Sequence, residues 1–121
     1  YMLNDYILFN PTEVSQQIID CYFIFSGING NIINATYNIT FISSSLVNIT
    51  FQLWDYSISS WTTFYSDVFI PNTPHTISII LTSNIDRYIV GESRFRIYII
   101  TNQSDYYNFN IDQLKLDVFI L

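Results

Sequence analysis

Apolar and polar residues alternate along most of this chain. Ile33, Ala35, Tyr37, Ile39 and Phe41 share one parity, and Asn34, Thr36, Asn38 and Thr40 share the other. Successive side chains of a strand point to opposite faces, so a period of two marks a strand with one dry side and one wet side. Val47, Ile49, Phe51 and Leu53 repeat the pattern against Asn48, Thr50 and Gln52. Ile19, Cys21, Phe23 and Phe25 form another apolar set, followed by "GINGN", whose glycines and asparagines suit a hairpin turn. Further on, Ile77, Ile79 and Leu81 alternate with Thr76, Ser78 and Thr82, interrupted by Ile80. Phe95, Ile97 and Ile99 alternate with Arg94, Arg96 and Tyr98.

The last segment sets Tyr107, Phe109 and Ile111 on one face, then Leu114, Leu116 and Val118. The parity changes between Ile111 and Leu114, which predicts a bulge at Asp112–Gln113. A short first strand from Tyr6 to Phe9 precedes Pro11, and "PTEVSQQIID" offers at most one helical turn capped by Thr12. Loops are expected at 55–60, 66–74, 83–93 and 102–106. Seven to eight strands with no sustained helical period predict an all-β protein. The expected fold is a single antiparallel β-sandwich domain over residues 1–121, jelly-roll-like in topology.

Composition sharpens this picture. At 121 residues the chain can bury a core without disulfides or metals. Half of it is apolar, but only 12 % is charged, about half the usual share. Asn, Ser and Thr fill the wet faces instead. Ten acidic residues against four basic ones give a net charge of −6, which argues against a nucleic-acid partner, since such proteins present a basic face. No apolar run reaches the roughly 18 residues of a membrane-spanning helix. Cys21 is the single cysteine, so no intrachain disulfide can form, and its apolar neighbours suggest a small buried hydrophobe. The opening "YMLNDY" has neither a basic region nor an apolar one, so the chain reads as a processed subunit or a segment of a larger product.

Candidate chemistry falls into four groups. Asn34, Asn38, Asn48 and Asn102 begin Asn-x-Ser/Thr triplets, the acceptor pattern for N-glycosylation, and all four fall on outward positions or in a turn. The alternative is that Asn and Thr merely suit an exposed strand face. Trp54, Tyr56 and Tyr106 sit in or beside loops, where flat rings can stack on sugars. Asp105, Asp112 and Asp117, with Asp5 and Asp20 approaching from elsewhere, could offer Ca²⁺ some of the six to eight oxygens it needs, although the spacing matches no known calcium loop. No cofactor is otherwise expected. His75 is the only histidine, and no nucleophile elbow, metal-binding pair or phosphate loop accompanies it. A small hydrolase built on His75 is therefore the weakest reading, and the chain is expected not to be an enzyme.

Two resemblances bear on function. "FQLWDYSISSWTTF", "SNIDRYIVGESRFRIYIIT" and "YYNFNIDQLKLDVF" resemble the jelly-roll β-sandwich repeats of secreted and surface proteins of bacteria and archaea, which are akin to carbohydrate-binding modules. The likeness covers about the last 70 residues. It implies that Trp61, Arg96 and Asp112 hold the fold, and it implies no ligand residues. A looser likeness is to extracellular archaeal filament subunits, β-sandwiches rich in Asn, Ser, Thr, Ile and Tyr that can donate a terminal strand to a neighbour. "YMLNDYILF" and "KLDVFIL" are apolar enough for that exchange, or for pairing within their own domain. The expected role is a non-enzymatic, extracellular structural or adhesive module of a cell-surface protein or filament. Its partners would be like subunits or neighbouring domains, and possible glycans. The alternative is a carbohydrate-binding module of a larger secreted protein.

Overall fold

The computed structural model describes residues 2–3, 7–9, 17–101 and 107–121, and they form two antiparallel sheets packed face to face. The strands are β1 (Met2–Leu3), β2 (Ile7–Phe9), β3 (Gln17–Ser26), β4 (Ile32–Ser43), β5 (Asn48–Asp55), β6 (Ser60–Val68), β7 (His75–Leu81), β8 (Glu92–Thr101) and β9 (Phe109–Ile120). One sheet runs β1-β9-β4-β7, with β2 also paired to β9. The other runs β3-β8-β5-β6. The only helical element described is a single 3₁₀ turn at Ile85–Arg87. The turn proposed near Thr12, and the expected carboxylates Asp5 and Asp105, lie outside the described residues.

The dry faces are the ones that alternation predicts. Ala35, Tyr37, Ile39 and Phe41 of β4, Ile49, Phe51 and Leu53 of β5, and Phe95, Ile97 and Ile99 of β8 are all buried. They meet Ile77, Ile79, Leu81, Phe109, Ile111, Leu114 and Leu116 in one core. Each fully buried Phe, Ile or Leu contributes about 1.5–3 kcal/mol relative to exposure. Rings interlock at the centre, with Phe41 against Phe51, Phe69 and Phe109, and Tyr37 stacked on Phe95. Buried Tyr37 shares a short hydrogen bond with the Ser93 hydroxyl, which satisfies the one polar atom of that ring.

The expected bulge in β9 is present. Thr40 pairs with Gln113 and Phe41 with Ile111, so Asp112 is the extra residue, and it points to solvent. A second bulge corrects the reading of β4. The register shifts between Ile32 and Asn34, which turns Ile33 outward at 41 % exposure and half-buries Ile32 instead. The terminal stretches pair at home: β1 and β2 lie antiparallel along β9, and β9 lies along β4.

Candidate functional site

The two outer faces differ in chemistry. The outer face of the β9-β4-β7 side carries hydroxyl and amide groups, with Thr40 bonded to Thr76 and Asn38 to Ser78. The outer face of the β3-β8-β5-β6 sheet collects aromatic rings and guanidinium groups. Strand register decides this grouping. Tyr22 pairs with Arg96, Arg96 with Gln52, and Gln52 with Thr63, so these four form one row across all four strands. Asp20 pairs with Tyr98 and Tyr98 with Thr50 in the next row, while Trp54 pairs with Trp61 on the other side.

A hydrogen-bonded chain runs through the middle. Arg96 donates from Nε to Asp20 Oδ1 and from Nη2 to Oδ2, both at 2.8 Å, and from Nη1 to Gln52 Oε1 at 2.9 Å. Gln52 Nε2 then donates to Thr63 Oγ1 at 3.0 Å. A two-pronged guanidinium–carboxylate pair fixes orientation as well as adding energy. The Arg96 guanidinium also lies over the Trp61 ring at 5.4 Å and the Tyr98 ring at 4.7 Å. Adjacent strands lie about 4.8 Å apart, so Tyr22 and Trp61 start roughly 14 Å from each other on opposite sheet edges. Their ring centroids nevertheless come within 5.7 Å. The two side chains therefore lean toward each other across the sheet, with the row of Arg96 and Gln52 between their strands.

Arg94 extends the face. It donates to Glu92 Oε2 at 3.0 Å and lies near the rings of Trp54 and Tyr56, at 5.7 and 5.9 Å. The Tyr56 hydroxyl donates to the same Glu92 oxygen at 3.0 Å. Trp54 meets Trp61 edge to face at 5.3 Å. Hydrogen bonding to Arg96 holds the Asp20 carboxyl below its usual range, against a smaller opposing effect of burial. Hydrogen bonds from Arg94 and then Tyr56 do the same for Glu92. Burial, followed by the Glu92 hydrogen bond, pushes the Tyr56 hydroxyl up to about 12.

Beside the face, Asp55 locks the β5–β6 turn. Its buried carboxylate accepts from the Ser57 backbone and hydroxyl at 2.9 and 2.6 Å, and from Arg87 at 2.5 Å. Burial pushes its pKa up, but these hydrogen bonds outweigh burial and leave it low.

The structure sorts the expected site residues. Trp54 and Tyr56 do share a surface, around Arg94, while Tyr106 lies outside the described residues. Trp61, expected to hold the fold, is half-buried on the same outer face as Trp54. Arg96 does tie strands together, whereas Asp112 is an exposed bulge residue. Alternation had already turned Arg94, Arg96, Tyr98 and Gln52 outward. Their gathering with Tyr22 and Asp20 depends on strand order, which no local pattern carries.

The other candidates come apart. Asp20 belongs to the opposite sheet from Asp112 and Asp117, so these three carboxylates do not converge. Among the described residues no group of three His, Cys, Asp or Glu could hold a metal ion. His75 Nε2 donates to the backbone oxygen of Ile70 at 2.9 Å, and its ring packs on Phe41 and Phe69. That hydrogen bond ends on a main-chain carbonyl, not on a Ser or an acid. Cys21 is half-buried, and burial, with Asp20 nearby, pushes its thiol up to about 11, away from reactivity. Asn34 and Asn48 are exposed, Asn48 accepting from Ser66 at 2.9 Å. Asn38 is half-buried in the central strand β4, and Asn102 lies outside the described residues. Among the described residues no helix is long and apolar enough to cross a membrane.

No protein-family model and no curated protein matches the sequence. Solved structures match by shape. TmCBM61 in complex with β-1,4-galactotriose aligns with a TM-score of 0.65 at 9 % identity, over 94 % of this chain and 70 % of that one. A CBM4 structure aligns at 0.55 with 11 % identity, over 94 % of each chain. The N-terminal cellulose-binding domain of Cellulomonas fimi β-1,4-glucanase C aligns at 0.52 with 11 % identity, over 96 % of this chain and 90 % of that one. At such identities the likeness is one of fold, and it shows that this chain has the jelly-roll β-sandwich found in these carbohydrate-binding modules.

Proposed function

We propose that the protein is a non-catalytic carbohydrate-binding module of an extracellular protein, with the outer face of the β3-β8-β5-β6 sheet as its glycan platform. One observation carries this reading: Tyr22, Trp61 and Trp54 form a continuous run of rings on a solvent-facing sheet, beside the Asp20–Arg96–Gln52–Thr63 chain. Rings supply flat apolar contact for the C–H faces of a sugar, and the neighbouring polar groups meet its hydroxyls. The fold shared with carbohydrate-binding modules supports the reading.

Ring geometry suggests what form the ligand takes. Tyr22 and Trp61 are inclined at 55°, and Trp54 and Trp61 at 76°. Such rings share no common plane on which a flat crystalline surface could lie. They suit a single glycan chain that offers different faces along its length. Retardation of the native protein in gels cast with soluble polysaccharides tests the proposal. Trp61→Ala should weaken the interaction by at least about tenfold while the protein stays folded. If no polysaccharide retards the native protein, or if folded Trp61→Ala is retarded as strongly, the proposal fails.

The structural or adhesive reading draws less support. The described strands of both stretches that a strand-donating subunit would offer, Met2–Leu3, Ile7–Phe9 and the end of β9, are paired inside their own sheet. Should the natural protein be glycosylated, exposed Asn34 and Asn48 are better placed to carry the sugar than Asn38, which is half-buried in the central strand β4.

A further inference from the structure

We infer that this face selects uncharged glycan chains and excludes acidic ones, because each Lys and Arg side chain of the protein is already paired with one of its own carboxylates; the inference rests on the carbohydrate-binding reading. The chain holds four Lys and Arg residues. Arg87 pairs with Asp55 at 2.5 Å, Arg94 with Glu92 at 3.0 Å, Arg96 with Asp20 at 2.8 Å and Lys115 with Asp117 at 3.3 Å. All four are matched, so a uronate or sulfate group finds no unpaired Lys or Arg side chain.

The two arginines that belong to the platform show how this works. Arg96 spends Nε and Nη2 on Asp20 and Nη1 on Gln52, and its side chain is only 20 % exposed, between Trp61 and Tyr98. It is a positioning residue that sets the rings and the polar row, not a contact for ligand charge. Arg94 is tied to Glu92, and Glu92 in turn holds Tyr56. The platform's charges therefore cancel locally, while the whole chain carries −6. A polyanion approaching it meets net repulsion and would have to displace a carboxylate from a bidentate pair. A neutral chain meets apolar rings and satisfied dipoles, and its binding involves little release of counter-ions.

The test compares neutral polysaccharides (galactan, β-glucan, xylan) with polygalacturonate and alginate, at about 0.01 M and about 0.15 M salt. The native protein should bind at least one neutral polymer with little salt dependence and neither acidic polymer. Asp20→Asn, alone and with Glu92→Gln, then releases one or two guanidinium charges. Acidic polymers should now bind, by roughly tenfold per freed charge, in a salt-sensitive manner. Arg96→Lys, which keeps the charge but loses the planar fork, should weaken neutral binding. Circular dichroism and urea midpoints establish that each variant is folded. Native binding of polyuronates, or folded Asp20→Asn and double variants that still ignore them, would overturn the inference while leaving a carbohydrate-binding role standing. Absence of all polysaccharide binding would overturn both.

Discussion

Single residues on this sandwich are constrained by backbone geometry as much as by side-chain chemistry. Gly30 has φ +105°, a region that side chains rarely adopt, and a Cβ there would lie 2.7 Å from Ile120 Cγ2. The turn is held against the end of β9, where the Leu121 amide donates to the Asn31 carbonyl at 2.9 Å. Gly30→Ala should therefore cost about 1–3 kcal/mol. Urea unfolding measures it, and an unchanged midpoint would show that the turn can relax without loss. "GINGN" reads as a hairpin turn in the sequence, but β3 and β4 belong to different sheets and do not pair, so this segment crosses from one sheet to the other, and nothing in the sequence says that it abuts the end of β9.

At the level of elements, β9 shows what alternation can and cannot reveal. Its parity switch is visible in the sequence and corresponds to the observed bulge at Asp112. The bulge lets Ile111 and Leu114 face the same core although their spacing is odd, and both are fully buried. Deleting Asp112 forces a choice, since a one-residue slip reverses every side chain beyond it. Either Phe109 and Ile111 or Leu114 and Leu116 must face water. Loss of the cooperative thermal transition is expected, and a deletion variant that melts like the native protein would mean β9 tolerates both registers. The core strands were legible because one buried face imposes a period of two. The platform was not legible, because Tyr22, Gln52, Thr63 and Arg96 join only through three separate strand pairings. Similarly, Ile33 looked like a core residue until the register shift beside it turned it outward.

For the whole molecule, acid behaviour follows from the same ion pairs. Asp20, Asp55 and Glu92 all have pKa values below their ordinary ones. A depressed carboxylate contributes stability that is fully present above its unfolded value, about 4, and is lost as pH falls through the lower folded value. Stability should hold between neutrality and about pH 5, and then drop below about pH 4. Net charge does not oppose this, since the −6 at pH 7 shrinks toward zero near the isoelectric point of about 4.2. Urea midpoints across this range measure the effect. A decline already complete by pH 5 would mean that other groups control acid unfolding.

The chain has two tryptophans, Trp54 and Trp61, and they touch each other on the outer face of the β3-β8-β5-β6 sheet and not in the core. Ultraviolet emission from this protein thus originates at the face proposed to meet glycans. A sugar settling there would alter the light directly, while the hydrophobic interior stays optically quiet apart from its tyrosines. The molecule carries its own lamp on that face.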